Sequence, residues 1–419
     1  MTAQQRRNDW REVRAPPIEP RAAEKTQATG AAPRSGFMAR GFILTLFLRM
    51  LTSSLLIIIP LFVTFSLGVS ASSLGYYVLL LWAGNGAGAA LAMGLIKKHF
   101  ASALTGFGIL CVSMLGFSFY ARSPLGVGSF AFMAGTGVGL AQPFLPALMH
   151  LDSGSANPSR GIGYYSVALG AGLISGPVVA WALQSAYAGT GGFTAMFLFL
   201  FSVSLAGLVA VLSELRSVAG KSAPRTGVQP LIPREWITAL KNKRFLHAFN
   251  FNLLYSFLLP IVLSYGGVYA AARYGLSSAH AFLLFGSVFL ASVILRTLVT
   301  RAGKFGSLRL AVIGCFIVAS FFVMAFSPTL PIFITGMLIF AVPHALVFPE
   351  TQYRALKTVD SSVLMNSSYV FQMSSGAAEV LSPVLAVAVI RCAGLTNLFT
   401  DMFPIAVLAM VYALAAKSG

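Results

Sequence analysis

The chain has 419 residues, 57% hydrophobic and 10% charged, with a formal net charge of +18. Soluble domains carry about 25% charged residues, so this composition excludes an ordinary water-soluble globule. The positive charge sits in an N-terminal tail, a central segment and short loops, which excludes a nucleic-acid-binding face and fits a chain oriented in a membrane.

Residues 1–37 are polar and rich in Arg, Pro and Ala, and are expected to form a disordered cytoplasmic tail. The first apolar run lies behind this tail and ends in no small-residue cleavage pattern, so it reads as a retained span rather than a signal peptide. No Lys, Arg, Asp or Glu occurs in 50–96, 123–151, 161–213, 245–272, 274–295 or 310–349. Each run holds one or two spans of about 20 residues. The expected spans are 41–66, 72–96, 101–120, 125–149, 162–186 and 193–213, then 246–270, 279–298, 307–326, 331–350, 362–388 and 397–415. Between the sixth and seventh lies a basic, Ser- and Pro-containing segment with Arg216, Lys221, Arg225, Arg234, Lys241, Lys243 and Arg244. It reads as a cytoplasmic linker.

The division is therefore a tail (1–37), an N-terminal six-helix bundle (38–213), a linker (214–245) and a C-terminal six-helix bundle (246–416). The expected fold is an all-α membrane protein of twelve transmembrane helices in two pseudo-symmetric bundles, with both termini cytoplasmic in the inner membrane. A shift of 206 positions lays Gly176-Pro177-Val178 on Ser382-Pro383-Val384, Gly170 on Gly376 and Pro143 on Pro349. This is a faint duplication of a six-span unit, a recurrent plan in secondary transporters.

Charges inside spans are costly and mark functional candidates. Arg49 lies about eight residues into the first span, roughly 12 Å along the helix. It suits an anionic group on a solute, or a static pair with a carboxylate. Glu379, deep in the eleventh span, suits a proton carrier, and a state-dependent pair with Arg49 is the sharpest expectation. Glu350 ends the tenth span near Arg301 and Lys304, with which it can clasp; a surface charge at a helix end is the plainer reading. Gln142, Asn250, Asn252, His344 and Gln372 are neutral polar groups inside spans, able to orient a ligand or to bridge helices. Gly170, Gly172, Gly176 and Pro177 remove bulk and then a backbone donor from the fifth span, which is expected to bend and let a neighbour approach.

With these residues in place, the chain resembles the major facilitator superfamily. Gly172-Leu173-Ile174-Ser175-Gly176-Pro177, extended by Gly170, resembles the glycine–proline antiporter motif of its proton-coupled drug exporters. The stretch Arg296–Lys304 resembles its loop motif through Arg301, Gly303 and Lys304, with Thr300 where an aspartate is expected and Arg296 where a glycine is. The resemblance implies alternating access by two rocking bundles. Spans one, four, seven and ten would line the cavity, and spans two, five, eight and eleven would form the seam. Arg49 would then face the cavity, and Glu379 would lie near the seam.

The function expected first is proton-coupled efflux of an amphiphilic or apolar compound. Proton-coupled uptake of an organic anion or other small metabolite is second, and a channel or scramblase is a remote third. Metal-ligand clusters, nucleophile elbows and phosphate loops are absent from the sequence, so neither an enzyme nor a cofactor is expected. The expected partners are a small solute, protons and membrane lipids, with the chain a monomer.

Overall fold

A computed structural model describes residues 35–94, 99–142, 145, 158–187, 189–218, 240–302, 310–358 and 364–415. The expected tail (1–37) and linker (214–245) lie largely outside the described residues. In the N-terminal bundle run α1 (Ser35–Leu67), α2 (Ala71–Gly94), α3 (His99–Phe119), α4 (Pro124–Ala141), α5 (Pro158–Ala186) and α6 (Thr190–Val218). In the C-terminal bundle, α7 (Lys243–Tyr274) is one span containing a π-helical turn, Ile261–Tyr265. It is followed by α8 (Ser278–Arg301), α9 (Leu310–Ala325), α10 (Leu330–Leu356), α11 (Leu364–Ala393) and α12 (Leu398–Ala415).

Among the described residues, eleven helices are long and apolar enough to cross a membrane, and α9 is a shorter apolar helix. Large apolar side chains such as Val112, Leu125, Leu290, Ile294, Phe322 and Leu408 point outward. Such a surface is stable only against lipid or a partner.

The two bundles repeat one packing scheme. α1 lies on α5 as α7 lies on α11; α2 on α4 as α8 on α10; α3 on α6 as α9 on α12. Between bundles, α2 packs on α11 and α5 on α8, and α1 meets the π turn of α7. These are the seam helices that the resemblance implies.

Local chemistry carries the same repeat. α1, α5, α7 and α11 are followed by Gly68, Gly189, Gly275 and Gly394, all at positive φ between +64° and +87°. Glycine reaches that left-handed region without steric penalty, and all four turns lie at one end of the molecule. At that same end, α4 begins at Ser123-Pro124, where the Ser123 hydroxyl accepts the Gly126 N–H at 3.1 Å. Its counterpart α10 begins after Thr329, with Pro331 in its first turn.

Prolines inside helices leave carbonyls without their helical donor. Pro60 frees the Leu56 carbonyl, and the Ser264 hydroxyl of the other bundle donates to it at 3.4 Å. Ser264 sits in the buried π turn directly after Pro260. A π turn shifts the register of the helix that follows it.

Three hydrogen bonds across the seam lie toward the end with the α1–α2 turn. They are Ser264 to Leu56, Gln184 Nε2 to Ser278 Oγ at 3.1 Å, and Arg391 Nη2 to Tyr76 Oη at 2.9 Å. Arg391 also lies 5.7 Å from the Tyr76 ring centroid, a cation–π contact. At the same end Phe193 of α6 meets Phe282 of α8 edge-on, with ring centroids 6.4 Å apart. A Cβ placed on Gly75 of α2 would stand 2.8 Å from the Pro383 carbonyl of α11, so the helices close nearly backbone to backbone there.

Candidate functional site

The site starts with the glycine face of α5. A Cβ on Gly172 would lie 2.5 Å from the Leu46 carbonyl and 2.8 Å from the Arg49 Cβ; one on Gly176 would collide with the Ser54 hydroxyl. Glycine at both positions lets α5 settle into the groove of α1 beside Arg49. The approach brings Tyr165, two turns before Gly172 on the same helix, against the guanidinium. Arg49 Nη2 donates to the Tyr165 hydroxyl at 3.3 Å, and both side chains are half-buried.

Gly170 turns the opposite way, toward the seam. Its Cβ would stand 2.7 Å from a Val293 methyl of α8. One turn beyond Val293 is Arg296, a buried arginine only 8% exposed. Arg296 Nε donates to the Ala345 carbonyl at 3.2 Å, and Nη2 donates to the His344 carbonyl at 3.1 Å. Pro349 explains the first bond: it deprives the Ala345 carbonyl of its helical donor, and Arg296 supplies one from the neighbouring helix. Arg296 lies within electrostatic reach of Arg49, Tyr165 and Tyr255.

On the C-terminal side, the Tyr255 hydroxyl and His344 Nδ1 form a hydrogen bond of 3.1 Å. The imidazole is bracketed by Phe289 and Phe340, with centroids 5.4 and 6.4 Å away, and its Nε2 is buried with no hydrogen-bond partner among the described residues. Glu379 is half-buried on α11, four residues before Pro383, within electrostatic reach of Arg49 and Tyr255. Among the described residues, no ion pair joins Glu379 to Arg49, and Arg49 is hydrogen-bonded to Tyr165. Gln372, also half-buried, precedes Glu379 by two turns and so shares its face of α11.

The other neutral candidates are spread more widely. Asn252 is fully buried and bridges helices: Nδ2 donates to Ser374 and Ser375 of α11, each at 2.8 Å, while Oδ1 accepts from Thr351 of α10 at 3.5 Å. Asn250 donates to the Tyr412 hydroxyl of α12 at 3.0 Å, tying α7 outward, away from the Arg49 cluster. Gln142 caps the end of α4, its N–H donating to the Val138 carbonyl.

A sequence model of the Major Facilitator Superfamily matches residues 41–383. The chain belongs to the Major Facilitator Superfamily. No curated protein matches the chain. Among solved structures, it is similar to a POT family transporter in complex with a thioalcohol-conjugated peptide: TM-score 0.72, 14% identity, 90% of this chain and 95% of the other covered. It is similar to the nucleoside transporter NupG, with TM-score 0.68 at 13% identity over 90% of this chain and 98% of that one. A bacterial homologue of the human drug peptide transporters PepT1 and PepT2 superposes with TM-score 0.70 at 15% identity, covering 92% and 98%. At these identities the likeness is one of fold.

Membership in this superfamily means a secondary transporter rather than a catalyst. The residues expected to gate lie as follows. Glu350 is not a surface charge at a helix end. α10 continues to Leu356, so Glu350 lies inside the helix, fully buried and paired with Arg354 Nε at 2.8 Å. The extra turn and a half is the sequence Thr351–Leu356, which continues the helix although Glu350 and Arg354 end the apolar run. Arg301 is exposed at the end of α8, while Gly303 and Lys304 lie outside the described residues. Arg296 lies within α8, as the expected span 279–298 has it.

Proposed function

We propose that this Major Facilitator Superfamily transporter takes up a small organic anion, or a closely related metabolite, together with protons. The observation that carries the reading is the convergence of Arg49, Tyr165, Arg296, Tyr255 and Glu379 between the bundles. Such a surface suits an anionic polar solute better than an apolar one. Two solved neighbours in fold, described as peptide and nucleoside transporters, lend support to a polar cargo. Efflux of an amphiphilic compound is less well supported. Gly172 and Gly176 of the antiporter-like motif are used in packing α5 on α1, a task that carries no direction of transport.

In the proposed cycle the termini are cytoplasmic, and the end with the α1–α2 turn faces outside. In that cycle the seam contacts at that end, Tyr76–Arg391, Gln184–Ser278 and the π turn, serve as the outer gate. Glu379 takes a proton from outside, which withdraws its negative charge from Arg49 and leaves that guanidinium to the solute. After the bundles rock, the proton leaves a Glu379 carboxylate oxygen to the inside, and the restored charge competes with the solute for Arg49. The solute is thereby released.

Purified full-length protein in proteoliposomes tests the reading. Radiolabelled lactate, benzoate and succinate are supplied outside at acidic pH with the lumen alkaline. The proposal expects gradient-dependent, saturable accumulation of at least one anion. Accumulation only of cationic or uncharged solutes, or flux running only outward with proton entry, contradicts it.

A further inference from the structure

We propose that Arg296 is a solute-binding residue: with Arg49 from the opposite bundle it forms a two-arginine clamp around a carboxylate of the transported molecule. This rests on the organic-anion reading above and assigns its substrate a chemical group. The geometry comes from three helices. Arg49 of α1 is held to α5 through Tyr165, and α5 lies directly on α8 through Gly170 and Val293. Arg296 follows Val293 by one turn, so the two guanidiniums flank the same stretch of the α5–α8 seam.

Two further observations favour binding over a purely structural role. The bonds to the Ala345 and His344 carbonyls fix the plane of the Arg296 guanidinium before any solute arrives. A pre-oriented planar fork matches a carboxylate and loses little freedom on binding. The bound fork is a buried cation within reach of a second cation on the opposing bundle. Like charges across a low-dielectric seam repel. An anion between them turns that repulsion into attraction on both sides. Solute binding then favours the state in which the bundles approach at this level, as a ligand with differential affinity for two states must. The Tyr165 hydroxyl accepts from Arg49 and so keeps its own proton to donate in the same wall.

The test uses the full chain in detergent. Thermal unfolding is followed with benzoate against benzamide, lactate against lactamide, and inorganic phosphate. At least one carboxylate is expected to raise the melting temperature where its amide does not. Arg296→Gln is expected to weaken that carboxylate's binding at least tenfold, read as the shift from the variant's own ligand-free melting temperature. Arg296→Lys, which keeps the charge but loses the fork, is expected to weaken it severalfold, and serves if the Gln variant fails to fold. Carboxylate binding within twofold of wild type in the variants overturns the clamp and leaves the organic-anion reading standing. Stabilisation by phosphate but by no carboxylate overturns the carboxylate assignment alone. Binding of amides only, or of none of these probes, counts against both the clamp and the reading it rests on.

Discussion

Arg49 gains its position from a partner one helix away. Removing the Tyr165 hydroxyl leaves the guanidinium without its hydrogen-bonded neighbour. A hydrogen bond to a charged group contributes about 1.5–3 kcal/mol, so Tyr165→Phe is expected to raise the KM for the solute about tenfold or more with little change in expression. A saturation curve of uptake in proteoliposomes measures this, and an unchanged KM would remove Tyr165 from the site. Arg49 and Glu379 were legible in the sequence because a full charge in an apolar run is conspicuous. Arg296 was not, because it sits near the end of an apolar run and five residues before Arg301, where charge is ordinary. The signal that finds it is Pro349, whose missing N–H leaves a carbonyl that needs a donor from elsewhere. Asn250 and Asn252 look alike in sequence, but which neighbour each meets depends on packing between distant helices. One joins the α7–α10–α11 network and the other reaches α12.

At the scale of the element, α5 is the piece that cannot tolerate bulk. Leucine at Gly172 or Gly176 drives a side chain into the α1 backbone or Ser54, whereas Gly86 of α2 has nothing within 4 Å of the place a Cβ would take. Overpacking of this kind costs about 1–3 kcal/mol or more. Gly172→Leu and Gly176→Leu are expected to lower the melting temperature and abolish uptake, with Gly86→Ala near wild type on both counts. Equal behaviour of the three variants would contradict the packing account. The helices were largely legible because each span must be apolar over its length. The π turn after Pro260 and the extension of α10 through Leu356 were not. The first is a register adjustment made against α1, and the second is helix continuing past the end of the apolar run.

Among the described residues, the end with the α1–α2 turn holds three hydrogen bonds across the seam. If Gln184–Ser278 marks a gate, cysteines at both positions in a background without Cys111, Cys315 and Cys392, bridged by a short reducible bis-methanethiosulfonate cross-linker, should lock it and stop transport. Reduction should restore it. Continued uptake with the bridge intact would show that this end does not open. The pairing of the bundles was legible from the linker and the faint repeat, whereas the identity of the gate contacts was not. Tyr76 and Arg391, 315 positions apart in sequence, are joined only by the docking of α2 on α11.

The most direct measurement is proton-coupled flux of the carried anion in proteoliposomes, comparing wild type with Glu379→Gln under gradient-driven uptake and under solute exchange without a gradient. If Glu379 carries the coupling proton, the variant retains exchange and loses accumulation against a gradient by about tenfold or more, a loss of at least 1.4 kcal/mol of coupling. Accumulation equal to wild type in the Gln variant would contradict the account.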